Sequence, residues 1–170
     1  MGSQEGREHP EELHDRPGIS HPPQWVVRVG EARNFSDPIE EIGPGLRMDS
    51  YPGPLTQVLM NVVNNAVIHA FEGRKGGRVV ISGQAGADRR VVLKVSDNGC
   101  GIPPDNLPRI FDPFFTTRLG RGGSGLGLHI VYSLVTELLG GTVRVESAPD
   151  VGTTVIIEVP LQAPQSLPPS

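Results

Sequence analysis

Gly125 to Leu161 read GLGLHIVYSLVTELLGGTVRVESAPDVGTTVIIEVPL, and this stretch decides the fold. Gly125 to Leu139 is helical in pattern and stops at Gly140-Gly141, a pair that ends helices well. Two β-rich runs follow, Thr142 to Ser147 and Thr153 to Leu161, with Asp150-Val151-Gly152 as the turn between them. A helix followed by a hairpin breaks the strict βαβ alternation of a parallel sheet.

Upstream, Trp25 to Val29 (WVVRV) is a strand candidate. Pro52-Gly53-Pro54 opens a helix from about Leu55 to Ala70, since proline is tolerated in the first turn. Arg78 to Ser82 and Arg90 to Ser96 read as strands joined by a glycine-containing turn at Gly83 to Asp88. The expected class is α+β, with helices packed on one face of a mixed, mostly antiparallel sheet. Asp97 to Ser124 reads as one long irregular segment, of the kind that more often serves as a lid than as a passive connection.

The chain has 170 residues, enough for one domain with a real core. Its 15 basic and 19 acidic side chains give a net charge of −4, which argues against a protein that wraps nucleic-acid backbones. One cysteine, Cys100, excludes an internal disulfide. No apolar run approaches the ~18 residues of a membrane span, so direct membrane insertion is not expected. No signal-peptide pattern opens the chain, and the cytoplasm is the expected compartment. Gly 22 and Pro 17 reach about double their usual share. Residues 1–24 hold too few large aliphatics to order themselves. They are read as a disordered segment, residues 25–161 as the domain, and residues 162–170 as a disordered tail.

The first helix, Leu55 to Phe71, reads LTQVLMNVVNNAVIHAF. Leu55, Leu59, Val62, Ala66 and Val67 group on one side, and Gln57, Asn61, Asn64 and Asn65 on the other. An amide-rich solvated face is one explanation. Asparagine is a poor helix former, however, and lysine or glutamate would solvate the face at lower cost. The other explanation is an oxygen ligand for a hard cation shared with phosphates, where a neutral amide adds no further negative charge; Asn65 is the first candidate. His69, one turn on, suits either a phosphate contact or a cap on the last turn.

Val95 to Ile102 read VSDNGCGI. Asn98-Gly99 is a strong hairpin signal, yet Ile102-Pro103-Pro104 does not begin a paired strand. The functional reading is base recognition. A carboxylate only accepts hydrogen bonds, so Asp97 suits the exocyclic amine of adenine and repels the carbonyl of guanine. Gly99 and Gly101 would let the backbone lie close to the ring. Ile110 to Arg118 hold Phe111, Phe114 and Phe115, three of the 5 phenylalanines. These either pin the loop to the core or let it close over a ligand, and both can hold. Gly120 to Leu128 then run into the second helix, whose first N–H groups suit phosphate. Arg118 and Arg121 either add charge there or are solvated loop residues.

Asn61-x-x-x-Asn65-Ala66, Asp97-x-Gly99-x-Gly101-Ile102, Phe111-Asp112-Pro113-Phe114-Phe115, Gly125-Leu126-Gly127-Leu128 and Gly152-Thr153-Thr154 follow in this order. The set resembles the ATP-binding catalytic domain of sensor histidine kinases, from about Trp25 to Leu161. It also places the chain in the superfamily shared with gyrase, mismatch-repair ATPases and the ninety-kilodalton heat-shock chaperone.

The resemblance implies a two-layer α/β sandwich with a mobile lid over ATP. It implies that Asn65, with help from Asn61, holds magnesium, and that these two carry the catalytic role. Asp97 would bind the adenine amine, with Thr153 beside it through water. The first glycine box adds Gly99, Gly101 and Ile102 to the ATP site. The second adds Gly123, Ser124, Gly125, Leu126, Gly127 and Leu128, with the Gly125 and Gly127 backbone along the triphosphate. His69 and Arg118 are carried as further ATP contacts. Such kinases often have a basic residue three positions after the second asparagine; here it is Ile68.

Hydrolytic relatives place glutamate where this chain has Asn61, and an amide cannot take a proton from water. That favours transfer of the γ-phosphate to a histidine, for relay to a response regulator receiver domain. His14-Asp15-Arg16-Pro17 is a poor acceptor, because prolines and Gly18 interrupt it and no apolar stripe supports a helix. The acceptor is expected on a separate dimerisation domain, and the chain alone as a monomer inefficient in autophosphorylation. The alternatives are a nucleotide-gated docking module, an ATPase of the gyrase type and a serine kinase of the anti-sigma type.

Overall fold

The computed structural model describes residues 48–71, 77–117 and 124–165, and the backbone of 24–29. Among the described residues five strands make one sheet: β1 Gln24–Val29, β2 Gly77–Ala85, β3 Arg90–Asp97, β4 Thr142–Ala148 and β5 Gly152–Pro160. Their order is β1-β2-β3-β5-β4, and every pairing is antiparallel. The mostly antiparallel sheet expected from sequence is present, and among the described residues the one parallel contact is an isolated bridge between Asp49 and Gln162. Short connections join β2 to β3 and β4 to β5, and these favour antiparallel neighbours.

Helix α1, Pro52–Asn65, continues through a π-helical turn, Ala66–Ala70. Helix α2, Gly127–Ser133, continues through a second such turn, Leu134–Leu138, closed by a bond from the Leu139 N–H to the Leu134 carbonyl at 2.9 Å. Together they cover one face of the sheet. Val58 and Val62 of α1 and Ala66 of the turn after it meet Val131 of α2 and Val135 of its turn over Val91, Val95, Ile157 and Val159 of the central strands. β3 alternates buried and half-buried residues, as a strand packed on one face does.

Several expectations shift. Val67 was placed on the apolar side of α1 but is 40% exposed, while Val58 is fully buried. The buried stripe runs Val58, Val62, Ala66, Ala70 in steps of four residues, and Val67 lies well round the helix from it. Gly83 belongs to β2, and the turn to β3 falls at Asp88 and Arg89, both with positive φ. Two such residues fit the mirror-image turn that matches the twist of a hairpin. The segment after Asp97 is not structureless, for Pro104–Arg109 form a 3₁₀ helix.

Residues 162–165, expected to belong to the tail, are tied to the start of α1. The Ala163 N–H bonds the Asp49 carbonyl at 2.8 Å, and the Tyr51 hydroxyl bonds the Pro164 carbonyl at 2.9 Å. Those bonds satisfy backbone groups on both segments, which is what holds this stretch beside the start of α1. Residues 1–23, including His9, His14 and His21, lie outside the described residues.

Candidate nucleotide site

A cavity of about 680 Å³ opens between α1, α2, the loop after β3 and the segment Phe115 to Thr117. Asn61, Asn64 and Asn65 all line it, so the amide face of α1 is turned to a cavity. The backbone places them there. Val58, Val62 and Ala66 are held on the sheet, and Asn61 and Asn65 flank that stripe at the core's edge.

Asn65 meets the start of α2. A Cβ built on Gly127 would lie 3.3 Å from Asn65 Oδ1 and 3.4 Å from its Nδ2. Only glycine leaves that amide its full room, so the amide and the first N–H groups of α2 share one place. Asn61 Nδ2 is buried without a hydrogen-bond partner among the described residues. A buried polar atom with no partner is costly unless a ligand completes it. Among the described residues no three His, Cys, Asp or Glu side chains gather as a metal cluster. The Asn61 N–H donor suits a phosphate oxygen, while the amide oxygen of Asn65 is of the type magnesium takes, alongside waters and phosphates.

Asp97 ends β3. Its Oδ1 accepts the Gly99 N–H at 2.9 Å and the Thr153 N–H at 3.2 Å. No hydrogen bond among the described residues reaches its Oδ2. Burial raises the carboxyl above its ordinary value, and the Gly99 and Thr153 N–H bonds pull the other way. Thr153 lines the cavity, whereas Asp97, Gly99 and Leu126 are not among its lining residues. Asp97 therefore adjoins the cavity through Thr153.

The glycines next to Asp97 serve packing. A Cβ on Gly99 would sit 2.3 Å from the Ala70 carbonyl oxygen, and one on Gly101, with φ +68, 2.0 Å from that of Ala148. The close approach they permit is thus to protein backbone at the end of α1 and in the β4–β5 hairpin. Sequence suggested that both glycines would let the backbone lie close to a base; Gly101 lines the cavity and Gly99 does not. Gly152, with φ +125, approaches the Asp97 carbonyl in the same way.

His69, Ile102, Ser124, Gly125, Gly127 and Leu128 line the cavity as well. Arg118 and Gly123 lie outside the described residues, as does Arg121. The aromatic segment is anchored on α2. The Phe111 and Tyr132 rings sit 5.5 Å apart, and His129 Nδ1 lies 3.1 Å from the Phe111 carbonyl. Phe115 lines the cavity with the Arg109 guanidinium 4.9 Å from its ring centre, while Phe114 is 70% exposed at φ 65.

Sequence reasoning missed Asn106 and Ser147. Asn106 reaches the cavity from the 3₁₀ helix, and no spacing announced it. Ser147 stands behind Thr153, at 3.0 Å between hydroxyls. Its signal was faint: an inward-facing serine on a strand.

Residues 51–163 match the family described as histidine kinase-, DNA gyrase B-, and HSP90-like ATPases. The sensor histidine kinase ZraS of Salmonella typhi is 43% identical over 119 residues, 70% of this chain and 24% of that protein. The catalytic domain of histidine kinase ThkA, solved free of nucleotide, superposes with a TM-score of 0.58 at 33% identity, over 69% of this chain and 72% of that one. Full-length ShkA, solved in complex with AMPPNP, gives a TM-score of 0.55 at 34% identity, over 67% of this chain and 23% of that one. The chain spans about a quarter of the length of the curated relatives it matches.

Proposed function

Because this chain belongs to the histidine kinase-, DNA gyrase B- and HSP90-like ATPase family, and within it to the catalytic domains of sensor histidine kinases, we propose that it binds Mg-ATP in the cavity beside α1 and donates the γ-phosphate to a histidine on a separate dimerisation domain. The phosphoryl group then passes to a response regulator receiver domain. The complex of ShkA with AMPPNP supports a nucleotide in this fold.

One observation carries the reading: the Asn65 amide lies against Gly127, where a metal ligand and phosphate-facing N–H groups would meet on one triphosphate. Asn65 is the proposed magnesium ligand, with Asn61 beside it. Bound magnesium would neutralise phosphate charge as it builds. Asp97 Oδ2 is the proposed acceptor for the adenine amine. His69, Ile102, Ser124, Leu126, Leu128 and Arg118 complete the proposed contacts, with Gly123, Gly125 and Gly127 supplying backbone.

No side chain at Asn61 can take a proton from water, so the site positions the γ-phosphate for a nucleophile from elsewhere. An acceptor imidazole nitrogen would form the new N–P bond as the bond to the β–γ bridging oxygen breaks, and ADP leaves with the electron pair. The test mixes the chain with a separately made acceptor domain and γ-labelled ATP. Acid-labile, base-stable label on the acceptor is expected. Phosphate release without label would indicate an ATPase, and base-labile label a serine kinase. The exposure of Phe114 favours one alternative, nucleotide-gated docking without transfer, which the same mixture would report as ATP-dependent co-elution with no label.

A further inference from the structure

Ser147, on β4, makes three polar contacts through one oxygen. It accepts the Ile102 N–H at 2.8 Å. It donates to the Gly152 carbonyl at 2.9 Å. Its third neighbour is Thr153 Oγ1 at 3.0 Å. A hydroxyl has one hydrogen and two lone pairs. The carbonyl of Gly152 has no hydrogen to give, so the Ser147 hydrogen must point there; without it two oxygens would face each other unscreened. Ile102 takes one lone pair. The remaining lone pair faces Thr153, which must therefore donate its own hydrogen to Ser147.

Thr153 lines the cavity, and Ser147 stands behind it. With its hydrogen committed, Thr153 Oγ1 turns only lone pairs towards the cavity. Asp97 is alike: its Oδ1 is taken by two N–H groups, and its Oδ2 can only accept while ionised. A base or a bridging water that meets this pair must donate to both. A water shared between them spends both hydrogens on them and shows the base its lone pairs.

We infer that Ser147 is a specificity-positioning residue: by fixing the Thr153 hydroxyl as an acceptor, it makes this corner of the site favour a purine with an amine at position 6 over one with a carbonyl. This rests on the proposed adenine site and adds the residue that sets its polarity. Ser147 touches no ligand itself. Removing its oxygen frees the Thr153 hydrogen to turn into the cavity, where it can donate to a carbonyl.

The experiment compares ATP with inosine triphosphate, which has a carbonyl at position 6 and a hydrogen on N1 where adenine has a lone pair, by calorimetry on the whole chain, and reads how the ratio of the two affinities changes between variants. The unaltered chain is expected to prefer ATP. Ser147→Ala should reduce that preference by about fivefold to tenfold, the worth of one ordinary hydrogen bond. Ser147→Thr, which keeps the hydroxyl, should retain it. Ser147→Cys keeps the volume with a weaker donor and acceptor, and gives a second measurement if the alanine chain folds poorly. Equal weakening of both nucleotides in Ser147→Ala or Ser147→Cys would overturn the inference and leave Ser147 a brace between loops. An unaltered chain that binds both nucleotides equally, or neither, would instead overturn the adenine reading and this inference with it.

Discussion

Asp97 Oδ1 accepts the backbone N–H of Thr153 at 3.2 Å, although 56 residues separate them. That bond ties the end of β3 to the start of β5 and spends one carboxylate oxygen on the protein. The other takes no hydrogen bond among the described residues and is the acceptor proposed for the adenine amine. Asp97→Asn keeps an oxygen for the N–H groups of Gly99 and Thr153 but replaces the outward acceptor with an NH2 donor. ATP affinity should fall about tenfold to a hundredfold, as for a lost bond to a charged group. Calorimetry with ATP and GTP checks this; an unaltered chain that binds the two equally removes the role assigned to Asp97.

The same carboxyl predicts a pH dependence. Burial raises Asp97 above its ordinary value despite its two N–H bonds. The folded chain thus holds this proton more tightly than the unfolded chain. Its contribution to stability is present at acid pH and is lost as pH rises through the raised value. Nucleotide binding runs the other way, because only the ionised group is a pure acceptor. ATP affinity should decline as pH falls through that value, and Asp97→Asn should remove this component. Titrations at neutral and mildly acid pH on both chains decide it, and parallel curves would count against it.

Gly127 leaves the Asn65 amide 3.3 Å from where a Cβ would stand. Gly127→Ala should therefore push the amide aside and weaken Mg-ATP binding by about fivefold or more, roughly 1 kcal/mol. Folding stability should hold or rise slightly, since alanine suits a helix better than glycine. Asn65→Asp should also weaken Mg-ATP, through repulsion with the phosphates. A Gly127→Ala chain with unchanged nucleotide affinity would separate the amide from the phosphate site.

Asn61 carries a buried donor without a partner among the described residues. Asn61→Ala removes that donor and places a better helix former in α1. Thermal unfolding without nucleotide should show stability unchanged or up to about 1 kcal/mol higher, while ATP affinity drops. A clear loss of stability would mean the amide is satisfied within the folded chain.

Ile157 is fully buried at the centre of the sheet, between β3 and β4 in register with Leu93 and Val143. Ile157→Ala should cost about 2–5 kcal/mol. Denaturant unfolding reads this directly, and a cost within about 0.5 kcal/mol, the range of surface substitutions, would show that the core lies elsewhere.

The fold was legible wherever local chemistry and tertiary packing agree. Gly140-Gly141 ends the second helix, and the β4–β5 hairpin follows at the expected turn. Asn65 and Asp97 stood out because each residue type is poorly suited to its place unless something answers it: an amide in a helix interior, an acid ending an apolar strand. Other features gave no such sign. Val67 looks as apolar as Val58, and only the angle at which α1 meets the sheet buries one and exposes the other. Gly99 and Gly101 announce close approach, but sequence could not say that the approaching groups are the carbonyls of Ala70 and Ala148.

By itself the sequence determined the strands and the two longer helices, the one-sided burial of the sheet and the residue types available for chemistry, because periodicity and turn chemistry act over a few residues. The tertiary structure alone decided that the Asn65 amide meets Gly127, that Asp97 holds Thr153, and that Ser147 orders the Thr153 hydroxyl. The first two join segments far apart in the chain; the third lies within one hairpin, but its direction depends on the Ile102 N–H, 45 residues from Ser147. Hydrogen-bond direction depends on which atoms meet in space, and no local pattern carries that information.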